Sequence, residues 1–255
     1  MKILKMRDKS DSFTAHKEHS FSLPMRVLAI GRTGCGKSST ALGNLLLRKE
    51  FYRNDFDPEN IYIFSGSLKG DLKLQTIVAE LDIPAMNLFD SFNEDIAHII
   101  YDDAVQNFKE AVAEKRKPDH ILHVLDDLGW ANLQNKNKKS SVIDKIVSNG
   151  RKYLVSFISL NQRLTQVSTN VREQASGLML WSSTSKQLEL VESSLNYLGA
   201  KKQLLAMVKK HTQKCHDFIV IDLGKEKMYR NKELRPICTC SDGTNKCGGD
   251  LEQPE

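Results

Sequence analysis

Long apolar runs are missing from this sequence, and their absence excludes one class of protein at once. No stretch of the 255 residues approaches the roughly 18 apolar residues that a membrane-spanning helix needs. The opening MKILKMRDKSDSF has neither a sustained apolar core nor a small-residue cleavage site, so we expect no secretory signal. Apolar residues still make up 40% of the chain and charged residues 27%, which is typical of a globular protein with a substantial core.

An excess of one charge sign is also missing. Lys and Arg number 37 against 32 Asp and Glu, which leaves a formal net charge of +5. A balance this mild is compatible with a polyanionic partner but does not predict one by itself.

Cysteine is scarce and unevenly placed. Cys35 lies in a glycine-rich loop, Cys215 stands apart, and three more fall near the C-terminus: Cys238, Cys240 and Cys247. This distribution does not predict a disulfide framework. His211 and His216 lie near Cys215 and raise the question of a zinc site. Because no C-x-x-C pair is present, we prefer the interpretation of a flexible tail with incidental thiols.

The strongest motif is GRTGCGKSST, residues 31–40, between an apolar strand pattern and a helical pattern. It fits G-x-x-x-x-G-K-[ST] in full, so it predicts a P-loop whose backbone N–H groups cradle the phosphates of ATP. Lys37 is expected to reach the β- and γ-phosphates, and the Ser38 hydroxyl to bind Mg²⁺. The predicted nucleotide-binding residues are Gly31, Arg32, Thr33, Gly34, Cys35, Gly36, Lys37, Ser38 and Ser39.

Strand and helix patterns alternate around this loop. Strands are predicted at about 25–30, 60–65, 121–125, 154–160 and 177–181, with a late hairpin at 218–221 and 227–229. Helices are predicted at 37–49, 72–81, 104–115 and 140–148, with two more between 186 and 210. The pattern predicts an α/β P-loop NTPase with a mainly parallel central sheet flanked by helices. We divide the chain into a polar arm (1–20), the P-loop domain (21–230) and a Cys/Gly-rich tail (231–255).

Two acidic pairs compete for the magnesium site. Asp126 and Asp127 end a five-residue apolar strand pattern, whereas a helical pattern begins directly after Asp102 and Asp103. We therefore predict that Asp102 and Asp103 cap that helix. Asp126 is assigned to magnesium, and Asp127 to the base or water-orienting role.

Gln162 follows the next strand pattern. The carboxyl ends of parallel strands meet in one crevice, so its amide is expected to face the P-loop and to sense the γ-phosphate or hold the attacking water.

The segments GRTGCGKS, HILHVLDD and SNGRKYLVSFISLNQ, in this order and spacing, resemble the FtsK/HerA superfamily of P-loop motors, and within it the genome-packaging ATPases of large DNA viruses and virophages. The resemblance covers about residues 20–185. It implies a RecA-like, FtsK/HerA-type fold and a homo-oligomeric ring that threads double-stranded DNA, with ATP hydrolysed at subunit interfaces. It also implies a capsid vertex protein as partner, and the host-cell cytoplasm or viral factory, with virion association, as location.

Such sites need an arginine from the neighbouring subunit. Arg151 matches the family position best, Arg172 is the second candidate and Arg163 the third. Contact with DNA phosphates is expected from Lys136, Lys138 and Lys139 in a polar loop, with the lysine pairs 201–202 and 209–210 as alternatives.

Two other classes of function stay open at this point. A small-molecule or nucleotide kinase also uses a P-loop, but we find no arginine-rich lid pattern. A non-translocating P-loop switch in virion assembly would bind nucleotide and turn it over slowly. Helicase or conjugative-transfer activity lies within the same superfamily.

Overall fold

One eight-stranded sheet organises the molecule. The computed structural model describes residues 12–15, 20–128, 141–195, 201–224 and 228–237. The sheet order is β3-β2-β4-β5-β1-β6-β7-β8. Its strands are β1 (Arg26–Ile30), β2 (Ile61–Ser65), β3 (Leu88–Phe89), β4 (Ile121–Asp126), β5 (Val155–Asn161), β6 (Gly177–Trp181), β7 (Phe218–Asp222) and β8 (Met228–Arg230). The first six strands pair in parallel, and β7 and β8 are antiparallel. The predicted mainly parallel α/β sheet is confirmed.

Helices cover both faces of this sheet. A π-helical segment (Ser38–Asn44) runs into the short α1 (Leu45–Leu47) after the P-loop. The remaining helices are α2 (Leu72–Leu81), α3 (Glu94–Ala113), α4 (Val142–Asn149), α5 (Thr169–Glu173), α6 (Ser185–Leu195) and α7 (Lys201–His211). Along β1, Leu28 and Ile30 pack into one core layer and Val27 and Ala29 into the other. This alternation explains why the strand is apolar throughout, since both of its faces are buried.

Helix α3 is longer than predicted, and the capping role predicted for Asp102 and Asp103 is wrong. Both lie inside the helix, which begins at Glu94. Asn93 is its cap, because its side chain accepts hydrogen bonds from the backbone N–H groups of residues 95 and 96. Buried residues at helical spacing, Ala97, Ile100, Tyr101 and Ala104, extend the amphipathic face a full two turns before the predicted start.

Ordered packing reaches past both predicted domain boundaries. Phe13 meets Phe108 of α3 edge to face, with 6.3 Å between the ring centroids. At the other end, the backbone N–H of Ile237 donates to the Tyr229 carbonyl at 2.7 Å. The division at residues 20 and 230 stays a prediction. No helix in the described ranges is long and apolar enough to cross a membrane.

His123 is an ionisable group in the core of β4. Its ring stacks with Tyr62 and Phe64 of β2, at centroid distances of 5.8 and 6.4 Å. The side chain is 1% exposed, and its Nε2 has no hydrogen-bond partner among the described residues. Burial in this apolar layer lowers the pKa of His123 to about 4.

Acidification should therefore destabilise the fold through His123. The unfolded chain takes up a proton near pH 6.5 and the folded chain only near pH 4, so stability is fully present above pH 6.5 and falls between these values. The expected contribution is about 3 kcal/mol. Between pH 7 and pH 4.5 the free energy of unfolding, measured with denaturant, should fall less in His123→Leu than in the wild type. Equal losses in both proteins would show that His123 does not carry this dependence.

Candidate active site

The P-loop leaves the carboxyl end of β1 and turns on two glycines with left-handed backbone. Gly34 has φ of +80° and Gly36 has φ of +99°, values that disfavour any other residue. Gly31 is fixed by space: a Cβ there would lie 2.6 Å from the Cys35 sulfur and 2.9 Å from the Trp181 Cβ. The loop is thus closely packed against β6, and its sequence is dictated by that geometry.

Lys37 braces the loop from inside. Its ammonium group donates hydrogen bonds to the carbonyl oxygens of Gly31 at 2.6 Å and Arg32 at 3.1 Å. These hydrogen bonds hold the ammonium group beside the loop, next to the start of the helix.

Asp126 ends β4 and is almost completely buried, with 4% exposure. Its Oδ2 accepts a hydrogen bond from the Ser65 hydroxyl at 3.0 Å. Burial raises the pKa of Asp126, the Ser65 bond and the charge of Lys37 oppose the shift, and the nearby charges of Asp127 and Asp71 add to it. A desolvated carboxylate of this kind is stabilised by a cation, and oxygen donors such as this carboxylate and the Ser38 hydroxyl are the ligands that Mg²⁺ prefers.

Asp127 has an unusual backbone conformation. Its φ is +49°, an uncommon value for a residue other than glycine, and its N–H donates to the Leu160 carbonyl at 3.2 Å. In this conformation its Oδ1 accepts a hydrogen bond from the Gln162 amide at 3.1 Å. The side chains that follow β4 and β5 therefore form one polar pair.

These groups line a single cleft at the carboxyl edge of the sheet. Its walls are formed by Thr33, Gly34, Gly36, Lys37, Ser38, Ser39, Ser67, Asp71, Lys73, Asp126, Asp127 and Gln162. The structure thus brings the predicted loop, the acidic pair and Gln162 together. Gly31, Arg32 and Cys35 belong to the loop but do not line this cleft.

The predicted arginines lie elsewhere. Arg151 is exposed in the 3₁₀ turn that precedes β5, at the sheet edge opposite the P-loop. Arg172 lies in α5, where its guanidinium donates to the Leu164 carbonyl at 3.4 Å and to the Thr169 hydroxyl at 3.0 Å. Arg163 is exposed directly after Gln162. The assignment of a catalytic arginine stays a prediction.

Several other predicted residues fall outside the described ranges. These are Lys136, Lys138 and Lys139 of the polar loop and the tail cysteines Cys238, Cys240 and Cys247. Within the described ranges, Cys35 and Cys215 are free thiols, and no group of three or more His, Cys, Asp or Glu side chains could hold a metal ion.

Sequence reasoning missed five residues at the site, one of which is Ser67 in the cleft lining. Ser65 could have been found, because it ends the β2 pattern and β2 pairs with β4 in parallel, Ser65 opposite Asp126. Asp71 caps α2, and Lys73 lies in its first turn. His216 contacts the P-loop from the turn before β7, with 3.2 Å between its Nδ1 and the Cys35 carbonyl oxygen. No local pattern links residues so far apart in the chain.

The chain resembles known proteins in sequence pattern and in fold. The sequence pattern of the family described as "Poxvirus A32 protein" matches residues 16–252. No match was found among curated protein sequences. Among solved structures, the genome packaging NTPase B204 of Sulfolobus turreted icosahedral virus 2, in complex with AMP, is 16% identical with a TM-score of 0.58. The match covers 82% of this chain and 96% of that chain.

A second viral structure is also similar to this chain. B204, the DNA-packaging ATPase of Sulfolobus turreted icosahedral virus, is 14% identical with a TM-score of 0.52, and the match covers 80% of this chain and 95% of that one. At such identities, both likenesses establish the fold.

The Ser65–Asp126 bond can be tested by a double-mutant cycle. Ser65→Ala should destabilise the protein by about 1–3 kcal/mol at pH 7, because a buried carboxylate loses its hydroxyl donor. In an Asp126→Ala background the same change should cost much less, as measured by denaturant unfolding. Ser193→Ala on the exposed surface of α6 serves as a control. An equal cost of Ser65→Ala in both backgrounds would contradict the proposed coupling.

Proposed function

The chain belongs to the Poxvirus A32 protein family, and from that premise we propose that it is an ATP-driven motor that moves a double-stranded DNA genome into a preformed viral capsid. The P-loop and the acidic pair support ATP hydrolysis. The family match over most of the chain supports a role in viral genome packaging. The observation that carries the chemistry is the hydrogen bond between Gln162 and Asp127 in the cleft beside the P-loop.

The P-loop residues bind the phosphates. Backbone N–H groups of the loop surround them, and the Lys37 ammonium exchanges its carbonyl partners for phosphate oxygens. Ser38 and Asp126 would hold Mg²⁺, which supplies charge neutralisation on the β- and γ-phosphates. Ser65 fixes the carboxylate of Asp126 for this role.

Asp127 and Gln162 act on the attacking water. The Asp127 carboxylate accepts the proton of the water as its oxygen bonds to the γ-phosphorus and the bond to the leaving ADP breaks. Gln162 holds the carboxylate in place through one amide hydrogen and orients the water with the remaining polar groups of its amide. The products are ADP and inorganic phosphate.

The protein contacts DNA through its phosphates, because a packaging motor moves along DNA of any base sequence. The polar loop with Lys136, Lys138 and Lys139 is the first proposed contact. Helix α7 is the alternative, since Lys202, Lys209 and Lys210 are exposed and the helix has no acidic residue.

The working form is a homo-oligomeric ring docked on a capsid vertex protein, in the host-cell cytoplasm or viral factory and in association with the virion. Arg151 is the first candidate for the arginine that one subunit supplies to its neighbour's nucleotide, with Arg172 and then Arg163 next. An arginine at the far edge of its own sheet fits a role in trans better than one in cis.

Steady-state ATP hydrolysis with and without long double-stranded DNA tests the proposal. Duplexes of unrelated sequence should stimulate turnover equally, and Lys37→Ala should lower turnover by at least about 10²-fold in either condition. Lys69→Ala, an exposed lysine paired with Asp90, is the matched control and should behave as wild type. If DNA does not change the rate of ATP hydrolysis under conditions where the ring forms, a P-loop switch is favoured over a motor.

Asp127→Asn separates binding from chemistry. Asn tolerates the left-handed backbone at this position and can still accept the Gln162 hydrogen bond, so ATP affinity should be retained. Turnover should fall by roughly 10²–10⁴-fold, because an amide does not take up the water's proton. Equilibrium ATP binding and single-turnover hydrolysis measure the two effects. Wild-type turnover in this variant would remove Asp127 from the base role.

A further inference from the structure

The two sides of the P-loop differ in chemistry. In the sheet order, β4 and β5 lie on one side of β1, and their ends carry Asp126, Asp127 and Gln162. Strands β6 and β7 lie on the other side. If the proposed function holds, the γ-phosphate points toward the acidic side, so the nucleoside end of the nucleotide must leave the P-loop toward β6 and β7.

His216 stands at that exit. Its ring packs over Gly36, where an added Cβ would lie 3.2 Å from the His216 Nδ1 and 3.8 Å from the Thr40 hydroxyl oxygen. Its Nδ1 also lies 3.2 Å from the Cys35 carbonyl oxygen, and the side chain is exposed. Because β7 is antiparallel to β6, the turn that precedes β7 lies at the same sheet edge as the P-loop.

A groove that begins at Thr40, beside Gly36 and His216, runs along the P-loop helix. It has a volume of about 140 Å³, and Thr40 and Asn44, one helical turn apart, form one wall. Met179 and Phe218, both buried, form an apolar floor, and residues 232–234 form the opposite wall. An apolar floor with a few polar groups at the rim is typical of a site for a flat organic ring. Thr40 connects the groove to the P-loop without interruption.

We propose that this groove binds the base of the nucleotide, with the His216 ring packed on the nucleoside and the Asn44 amide at the edge of the base. The inference rests on the proposed function, because the phosphates in the P-loop set the direction of the nucleotide. It assigns a role to a turn that is 181 positions away from Cys35 in the chain.

Binding of ATP and of inorganic tripolyphosphate, compared by calorimetry, tests the assignment. Stacking on an aromatic ring predicts that His216→Ala weakens ATP binding by at least about fivefold. The affinity for tripolyphosphate, which has no base, should not change. His216→Phe should keep the ATP affinity within about twofold, since a ring remains while the bond to the Cys35 carbonyl is lost.

Two further variants sharpen the comparison. Asn44→Ala should weaken ATP about two- to tenfold and leave tripolyphosphate unchanged, because one hydrogen bond to the base is lost. His211→Ala, a histidine at the end of α7 outside the groove, is the matched control and should bind both ligands as wild type does.

The outcomes separate the inference from the proposed function. Equal weakening of ATP and tripolyphosphate in His216→Ala would show that His216 acts on the P-loop itself and would overturn the base site. Unchanged ATP binding in both His216→Ala and Asn44→Ala would place the base elsewhere. Failure of the wild-type protein to bind ATP would overturn the proposed function and this inference with it.

Discussion

The carboxyl end of β5 is the point on which the site depends. The Leu160 carbonyl accepts the N–H of Asp127, and the carbonyl of Asn161 accepts the N–H of Gly31. The next residue, Gln162, donates its amide to Asp127. Three consecutive residues thus fix the acidic turn, the start of the P-loop and the Asp127–Gln162 pair relative to one another. Because β5 pairs in parallel with both β4 and β1, the register of the sheet sets these distances.

The two aspartates differ in burial and in hydrogen-bond partner. Asp126 is buried and held by Ser65, and its pKa is raised because desolvation outweighs the Ser65 hydrogen bond and the charge of Lys37. A cation offsets that desolvation, so the burial of Asp126 favours metal binding. Asp127 projects into the cleft from a left-handed turn and meets an amide instead. The left-handed backbone of one residue therefore gives two adjacent aspartates different surroundings.

Local sequence patterns and motif spacing predict the parts of the fold that depend on residues close together in the chain. The apolar runs of β1, β4, β5 and β6 and the phosphate loop were read from the sequence, since buried parallel strands and P-loops have distinctive local patterns. The predicted start of α3 is wrong, because a pair of carboxylates resembles a helix cap in sequence. The helix begins after its cap Asn93, and its buried face already includes Ala97. Ser65 ends a predicted strand, so its place at the sheet edge could have been found, but its bond to Asp126 depends on strand order. His216 could not be assigned, because its contact depends on a turn distant in the chain.

Among the residues that the structure describes, few positive charges line the cleft. Its described lining offers two cations, Lys37 and Lys73. Lys37 is the phosphate-binding lysine of the proposed mechanism, so one further cation remains, and that cation, Lys73, lies beside Asp71, a carboxylate that also faces the cleft. Charge that accumulates on the γ-phosphate during hydrolysis needs a donor placed directly against it. A donor from a neighbouring subunit would satisfy that need only when the ring is assembled, so turnover and assembly would be linked by the electrostatics of one cleft.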